Sequence, residues 1–291
     1  MRHAHRRPVE SITARDGTVL AARFHAPRNE SGGARGAVLI VPALGVGQDY
    51  YGAFADWLAE QGYAVATFDY RGMGHSRRGS LRGLRADLVD WGSLDCGAAL
   101  DALAERFPGL PLYWIGHSLG GQILPFCPQH TRLAKAITIA TGSGYWRENT
   151  WTLRCYVWWL WYFVVPLALP LFGYFPGRRL RKVGDLPRGV MAQWRRWCLD
   201  RDYAVGVEGE AVRRLYAAVA TPIVSLSFTD DEFMSARNTE SIHAFYTGAA
   251  RTMTRIAPRE IGVGRIGHFG FFRRRFADAL WRTHLLPALE S

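Results

Sequence analysis

Lysine is nearly missing from this chain. Of its 36 basic side chains only Lys135 and Lys182 are lysines, and the rest are arginines. The formal net charge of +11 is therefore arginine charge. It is spread along the chain, with short groups at Arg178-Arg179-Leu180-Arg181-Lys182 and Arg273-Arg274-Arg275. A nucleic-acid-binding protein concentrates its basic residues in a patch or stripe, so no nucleic-acid partner is expected. Cysteine is also sparse. Cys96, Cys127, Cys155 and Cys198 form no CxxC pair and no zinc spacing. They read as reduced core residues, and neither a metal nor an organic cofactor is expected. Met1–Glu10 is basic but lacks the apolar stretch of a secretory signal, which together with unpaired cysteines points to the cytoplasm. His3 and His5 read as part of a frayed terminus. No repeat or low-complexity tract is present, which excludes solenoid and disordered architectures.

What is present is a chain of 291 residues, 48% hydrophobic, long enough for one large domain with an insertion. Val9–Ala14 and Thr18–His25 flank Asp16-Gly17 and predict a β-hairpin. A turn rich in Gly, Ser and Asn follows over Asn29–Gly36. Apolar runs at 37–41, 64–68, 112–115, 136–140, 222–228 and 254–257 predict strands. Helical periodicity at 48–61, 86–107, 236–246 and 276–285 predicts helices between and after them. Strands alternating with helices make a mainly parallel sheet covered on both faces. The alternation is interrupted from about residue 142 to 220. The expected organisation is thus a core over 1–141 and 221–291 with a helical insertion over 142–220. In such sheets ligands bind at the carboxyl ends of strands.

Tyr113-Trp114-Ile115-Gly116-His117-Ser118-Leu119-Gly120-Gly121 reads as strand, G-x-S-x-G turn, helix. The flanking glycines remove side chains that would clash as strand and helix approach, and the turn lifts the serine hydroxyl out of the sheet. Ser118 is the candidate nucleophile. Gly72-Met73-Gly74-His75-Ser76 has Arg78 in place of the second glycine, and Ser143 lacks the strand-to-helix setting. Both serines read as loop residues. A serine hydroxyl needs a base, and the base needs an orienting acid. Asp230-Asp231-Glu232 follows one predicted strand, and His268 lies in a glycine-rich loop after the last one. Their order, serine then acid then histidine, is the one this elbow requires. His268 is the candidate base, whereas His243 falls inside a predicted helix. Asp231 is preferred to Asp230 as the acid, leaving the other to cap the following helix. The oxyanion donors are the amide of Leu119, next to the serine, and that of Leu44 in the loop Pro42–Gly47 after an early strand.

These residues resemble the α/β-hydrolase superfamily over nearly the whole chain outside the insertion. Gly116–Gly120 matches its nucleophile elbow. Phe68-Asp69-Tyr70-Arg71-Gly72-Met73-Gly74-His75-Ser76 resembles the D-x-R-G-x-G-x-S segment of its lipase-, esterase- and S33-peptidase-like branches. More narrowly, the chain is similar to a bacterial group of predicted hydrolases that share a D-D-E-F segment. That group also carries an L-P-x-G-V-x-x-Q-W-x-x-W motif, here Leu186 to Trp197. The resemblance implies an α/β-hydrolase fold with a cap inserted before the last two strands. The superfamily's D-x-x-x-P segment aligns on Asp231, with Ser235 in the proline position. Pro42-Ala43 stands where the oxyanion strand commonly has His-Gly.

Cys155–Phe175 contains no charged residue, a length that suits a membrane span. A single crossing would part Ser118 from Asp231 and His268, and Pro166 and Pro170 are expected to interrupt a continuous helix. The segment instead reads as a cap whose aromatics line an acyl pocket or touch a membrane surface. The expected function is hydrolysis of a carboxylic ester with a hydrophobic acyl group. A thioesterase, amidase or aminopeptidase would use the same three residues. An aminopeptidase would also need carboxylates for the substrate amine, for which Glu208 and Glu210 are the candidates. An alternative of another class is a binding protein that keeps the fold without the reaction, against which the ordered Ser, Asp and His argue.

Overall fold

The computed structural model describes residues 7–28, 33–180 and 184–290. His3 and His5, part of the Asn29–Gly36 turn, and Arg181 and Lys182 lie outside the described residues. The chain opens with the hairpin β1 (Glu10–Thr13) and β2 (Val19–His25), whose turn places Gly17 at φ +82°. Four strands follow: β3 (Gly36–Val41), β4 (Tyr63–Phe68), β5 (Leu112–His117) and β6 (Leu133–Ile139). Every residue of β3 and β4 is buried, as their unbroken apolar sequences require. Two-residue strands β7 (Tyr174–Phe175) and β8 (Leu186–Pro187) pair with each other apart from the main sheet. The main sheet is completed by β9 (Ile223–Phe228) and β10 (Arg251–Ile256).

The eight strands run in the order β1-β2-β4-β3-β5-β6-β9-β10. From β4 to β10 all pairs are parallel, and only the opening strands are antiparallel. Helices cover both faces. Helix Gly97–Arg106 places Leu100 and Leu103 on one, and Gly52–Glu60 places Phe54 and Leu58 on the other, where Trp281 and Leu285 join them. The chain leaves β3 toward β4 on one side and returns to β5 on the other. Between β3 and β5 the order reverses, which opens a crevice at their carboxyl ends. The loops that leave these two strands carry Leu44 and Ser118.

Several elements depart from the sequence expectation. β5 continues through Gly116 and His117, and the α-helix after Ser118 spans only Leu119–Gln122 before tightening into a 3-10 turn. Pro166 and Pro170 do not break the helix they occupy, which runs from Trp151 to Phe172. A π-helical turn at Leu160–Val164 precedes Pro166. It shifts the hydrogen-bonding register just where the proline ring would clash and an N–H is missing. Cys155, expected in the core, is exposed on this helix, while Cys96, Cys127 and Cys198 are buried, and all four are free thiols. Strands β6 and β9, one before and one after this helix in the chain, pair directly. A bilayer crossing by the helix between them would pull that pair apart.

Candidate active site

The turn after β5 holds Ser118 at φ 51° and ψ −113°, a conformation that costs a residue with a side chain on the order of 1–3 kcal/mol. The surroundings enforce it. Ser118 N donates to Ile139 O at 2.9 Å, and Ser118 O accepts from Gly121 N at 3.0 Å and Thr141 Oγ1 at 3.1 Å. A Cβ on Gly116 would lie 2.5 Å from the Gly120 carbonyl, and one on Gly120 would collide with the Val41 backbone. Both glycines are therefore required for the crossing of β3, β5 and the short helix.

His268 lies beside this turn. Its Nδ1 donates to both oxygens of Asp231, at 3.0 and 2.9 Å, so that in the neutral tautomer Nε2 is the nitrogen that accepts. The Asp231 side chain is fully buried, and its Oδ1 also accepts from the amides of Phe233 (2.8 Å) and Met234 (2.9 Å). The carboxylate is thus fixed from two directions before it meets the imidazole. Among the described residues the Ser118 hydroxyl makes no hydrogen bond, to His268 or to any other group. Hydrogen bonds between base and nucleophile are often loose without substrate. The amides of Leu44 and Leu119 also donate to no group among the described residues. The neighbouring Ala43 amide is already taken, donating to Tyr51 Oη at 2.9 Å.

The two other acids after β9 do different work from the one expected. Asp230 does not cap the following helix. Its Oδ2 accepts from the amides of Ile266 (2.8 Å) and Gly267 (3.0 Å), and Glu232 Oε2 accepts from the amide of His268 (3.0 Å). Ser235 caps the helix, accepting from Asn238 N at 3.1 Å. Consecutive acids therefore clamp the backbone of the histidine loop while the middle one holds the imidazole. Gly267 has φ +65°, and a side chain there would press on Glu232 Oε2.

A second linkage had no signal in the sequence. His117 is fully buried, and burial pushes its pKa well below the ordinary histidine value, with His268 nearby adding to the effect. Its Nε2 lies 3.1 Å from the carbonyl of His268, which can only accept, so the proton sits there. Its Nδ1 then accepts from the Tyr51 hydroxyl at 2.9 Å. Burial also raises the Tyr51 pKa well above the usual phenol value, so the donor keeps its proton. Ala43, Tyr51, His117 and His268 thus form one chain of hydrogen bonds across the oxyanion loop, the elbow and the histidine loop.

The remaining sequence candidates are held by structural contacts. Ser76 Oγ accepts from Ala21 N and donates to Asp69 O. The Asp69 carboxylate accepts from the Gln48 amide and from His75 N. Arg71 bridges Asp16 and Asp95. The D-Y-R-G-M-G-H-S segment therefore ties β2 to the loops beside the crevice. Ser143 Oγ donates to Glu148 at 3.0 Å. His243 is buried, with Nε2 at 2.8 Å from Thr138 Oγ1 and Nδ1 at 2.7 Å from Thr239 O.

A cavity of about 500 Å³ opens next to these residues. Leu44, Phe233 and Phe269 line it, and both phenylalanine rings lie 5.0 Å from the imidazole of His268. Residues between β6 and β9 supply most of the remaining wall, including Leu160, Trp161, Met191 and Trp194. None of the described residues lining it is charged. Glu208 lies outside it, accepting from Gln193 Nε2 and Trp197 Nε1, and Glu210 faces Arg213 at 3.5 Å.

A mostly parallel eight-stranded sheet with helices on both faces, carrying a serine on a sharp strand-to-helix turn, defines an α/β hydrolase. The chain belongs to the family described as serine aminopeptidase, S33, whose model matches residues 32–184. The monoglyceride lipase of Saccharomyces cerevisiae is 29% identical over 108 residues, 37% of this chain and 34% of that protein. The match therefore spans about a third of the relative's length. Among solved structures, a thermostable carboxyl esterase from Bacillus coagulans superposes with a TM-score of 0.58 at 15% identity, over 86% of this chain and 89% of that one. A soluble variant of the Saccharomyces cerevisiae monoglyceride lipase gives a TM-score of 0.58 at 16% identity, over 87% of each chain. These two structural likenesses are likenesses of fold.

Proposed function

We propose that this protein hydrolyses carboxylic esters with a hydrophobic acyl group, through an acyl-enzyme on Ser118. In the first half-reaction His268 Nε2 removes the proton from Ser118 Oγ as the oxygen attacks the ester carbonyl. Asp231 holds the imidazole in the required tautomer and stabilises its positive charge. The carbonyl oxygen becomes an oxyanion that accepts from the amides of Leu44 and Leu119. Loss of one such donor costs about 3–4 kcal/mol of transition-state stabilisation. The imidazolium then protonates the leaving alcohol. Water, activated by the same nitrogen, attacks the acyl-enzyme and releases the acid. The insertion, residues 142–220, acts as the cap that walls the acyl pocket.

The observation that carries this reading is the cavity beside His268, apolar and without a charged lining residue. It suits an acyl chain. An aminopeptidase needs a carboxylate facing the substrate amine, and Glu208 and Glu210 are engaged elsewhere. The test is hydrolysis of p-nitrophenyl esters of increasing acyl length. The expected optimum lies at medium to long chains, with kcat/KM for Ser118→Ala at least about 10⁴-fold lower. Activity confined to acetyl esters, or retained in Ser118→Ala, would contradict the reading.

A further inference from the structure

The helix Trp151–Phe172 carries more apolar surface than the fold buries. Its inner side, with Val157, Leu160, Trp161, Val165 and Leu169, packs into the core. Its outer side bears Trp151, Trp158, Trp159, Phe163, Leu167 and Leu171, which are 39–75% exposed. These positions recur at helical spacing and make one stripe along the whole helix. A helix that is apolar all round is ordinarily enclosed, and only 33% of its most apolar stretch is buried. Contiguous exposed apolar surface of this kind marks an interaction site.

The charge around the stripe selects its occupant. From residue 149 to residue 184 the sequence contains no Asp or Glu. At the N-terminal end, Arg147 and Arg154 line a shallow groove with Trp151 and Trp158, and the Arg147 guanidinium lies 5.3 Å from the Trp146 ring. At the other end, Arg82 donates to the carbonyl of Phe172 at 3.1 Å, and Arg179 lies 6.0 Å from its ring. Arginines at both ends of an aromatic stripe match a surface that is apolar beneath and anionic at its rim. A second copy of the chain would set arginines against arginines.

We propose that this face docks on the surface of a bilayer containing anionic lipids. The stripe enters the boundary between headgroups and acyl chains, where Trp and Tyr are favoured, and the arginines meet lipid phosphates. The same helix presents Leu153, Tyr156, Val157 and Leu160 to the cavity. If the proposed ester hydrolysis holds, docking places a lipid on the far side of the helix that walls the cavity beside His268. The docking itself stands apart from the reaction and is tested without it.

The experiment is co-sedimentation of the full chain with phosphatidylcholine vesicles, with and without phosphatidylglycerol, at low and high salt. The wild type is expected to bind the anionic vesicles and to be released by salt. Arg147→Ala/Arg179→Ala should weaken binding about 30-fold, and Trp159→Glu/Leu167→Glu by at least as much. Both variants should keep the wild-type melting temperature and hydrolysis of a soluble short-chain p-nitrophenyl ester. Loss of binding in a variant that has kept its melting temperature supports the proposal whether or not any ester is cleaved. Absence of wild-type binding to anionic vesicles, or binding by both variants as tight as that of the wild type, would overturn it. So would a lipid-free dimer that Trp159→Glu/Leu167→Glu converts to monomer, which would make a second copy the occupant.

Discussion

At the scale of single residues, the site depends on groups whose hydrogen bonds are settled by what their partners can do. A carbonyl opposite His117 Nε2 and a carboxylate opposite His268 Nδ1 fix both tautomers. Tyr51 is the residue whose removal tests this most sharply. Tyr51→Phe keeps the ring, and with it the edge contact to Phe272 at 4.9 Å. It leaves the Ala43 amide and His117 Nδ1 without partners in a buried setting, which costs about 1–3 kcal/mol for each group. The expected result is a fall in unfolding free energy of about 2–6 kcal/mol and a kcat about 10-fold lower at nearly unchanged KM. Denaturant melts and steady-state kinetics check both. Unchanged values would show that the linkage does not position the loops. The turn that holds Ser118 and the pairing of Asp231 with His268 could be anticipated from the sequence, because glycine spacing and strand ends mark such positions. The Tyr51–His117 link was not, because it joins residues 66 apart with no periodicity between them. The division of labour among Asp230, Asp231 and Glu232 was legible only as an order of preference, since three adjacent acids differ by which amides they meet.

At the scale of elements, buried histidine couples one helix to the sheet. His243 closes helix Ala236–His243 and contacts Thr138 on β6. Burial lowers its pKa from the ordinary 6.5 to about 4. The folded form therefore binds fewer protons than the unfolded chain between these values. The stability this group contributes is fully present above pH 6.5 and is lost as the pH falls toward 4, a difference of about 3 kcal/mol. Chemical denaturation at pH 7 and pH 4.5 should show a smaller acid-side loss in His243→Asn than in the wild type. An identical loss in both would contradict the assignment. The alternation of strands and helices was readable because parallel strands are continuously apolar. Two features were hidden. The helix Trp151–Phe172 takes up Pro166 just after a π-helical turn and keeps Pro170 inside its last α-helical stretch, which sequence rules for helix breaking do not anticipate. Cys155 sits in an apolar run yet faces outward, because the run covers both sides of the helix.

At the scale of the whole molecule, the carboxyl ends of the strands gather the candidate site and the helix Trp151–Phe172 divides two environments. Its inner side walls a cavity next to His268, and its outer side is a bare aromatic stripe bracketed by arginine. The net charge of +11, uninformative as a composition, gains meaning from where these arginines stand. The proposed chemistry rests on a single hydroxyl, that of Ser118, at the reversal of strand order. The most direct measurement is labelling of the full chain with a fluorophosphonate, followed by peptide mass mapping of the adduct. One adduct per chain on the peptide containing Ser118, lost in His268→Ala, is the predicted result. A folded wild-type protein that stays unlabelled, or an adduct mapped to Ser76 or Ser143, would contradict it.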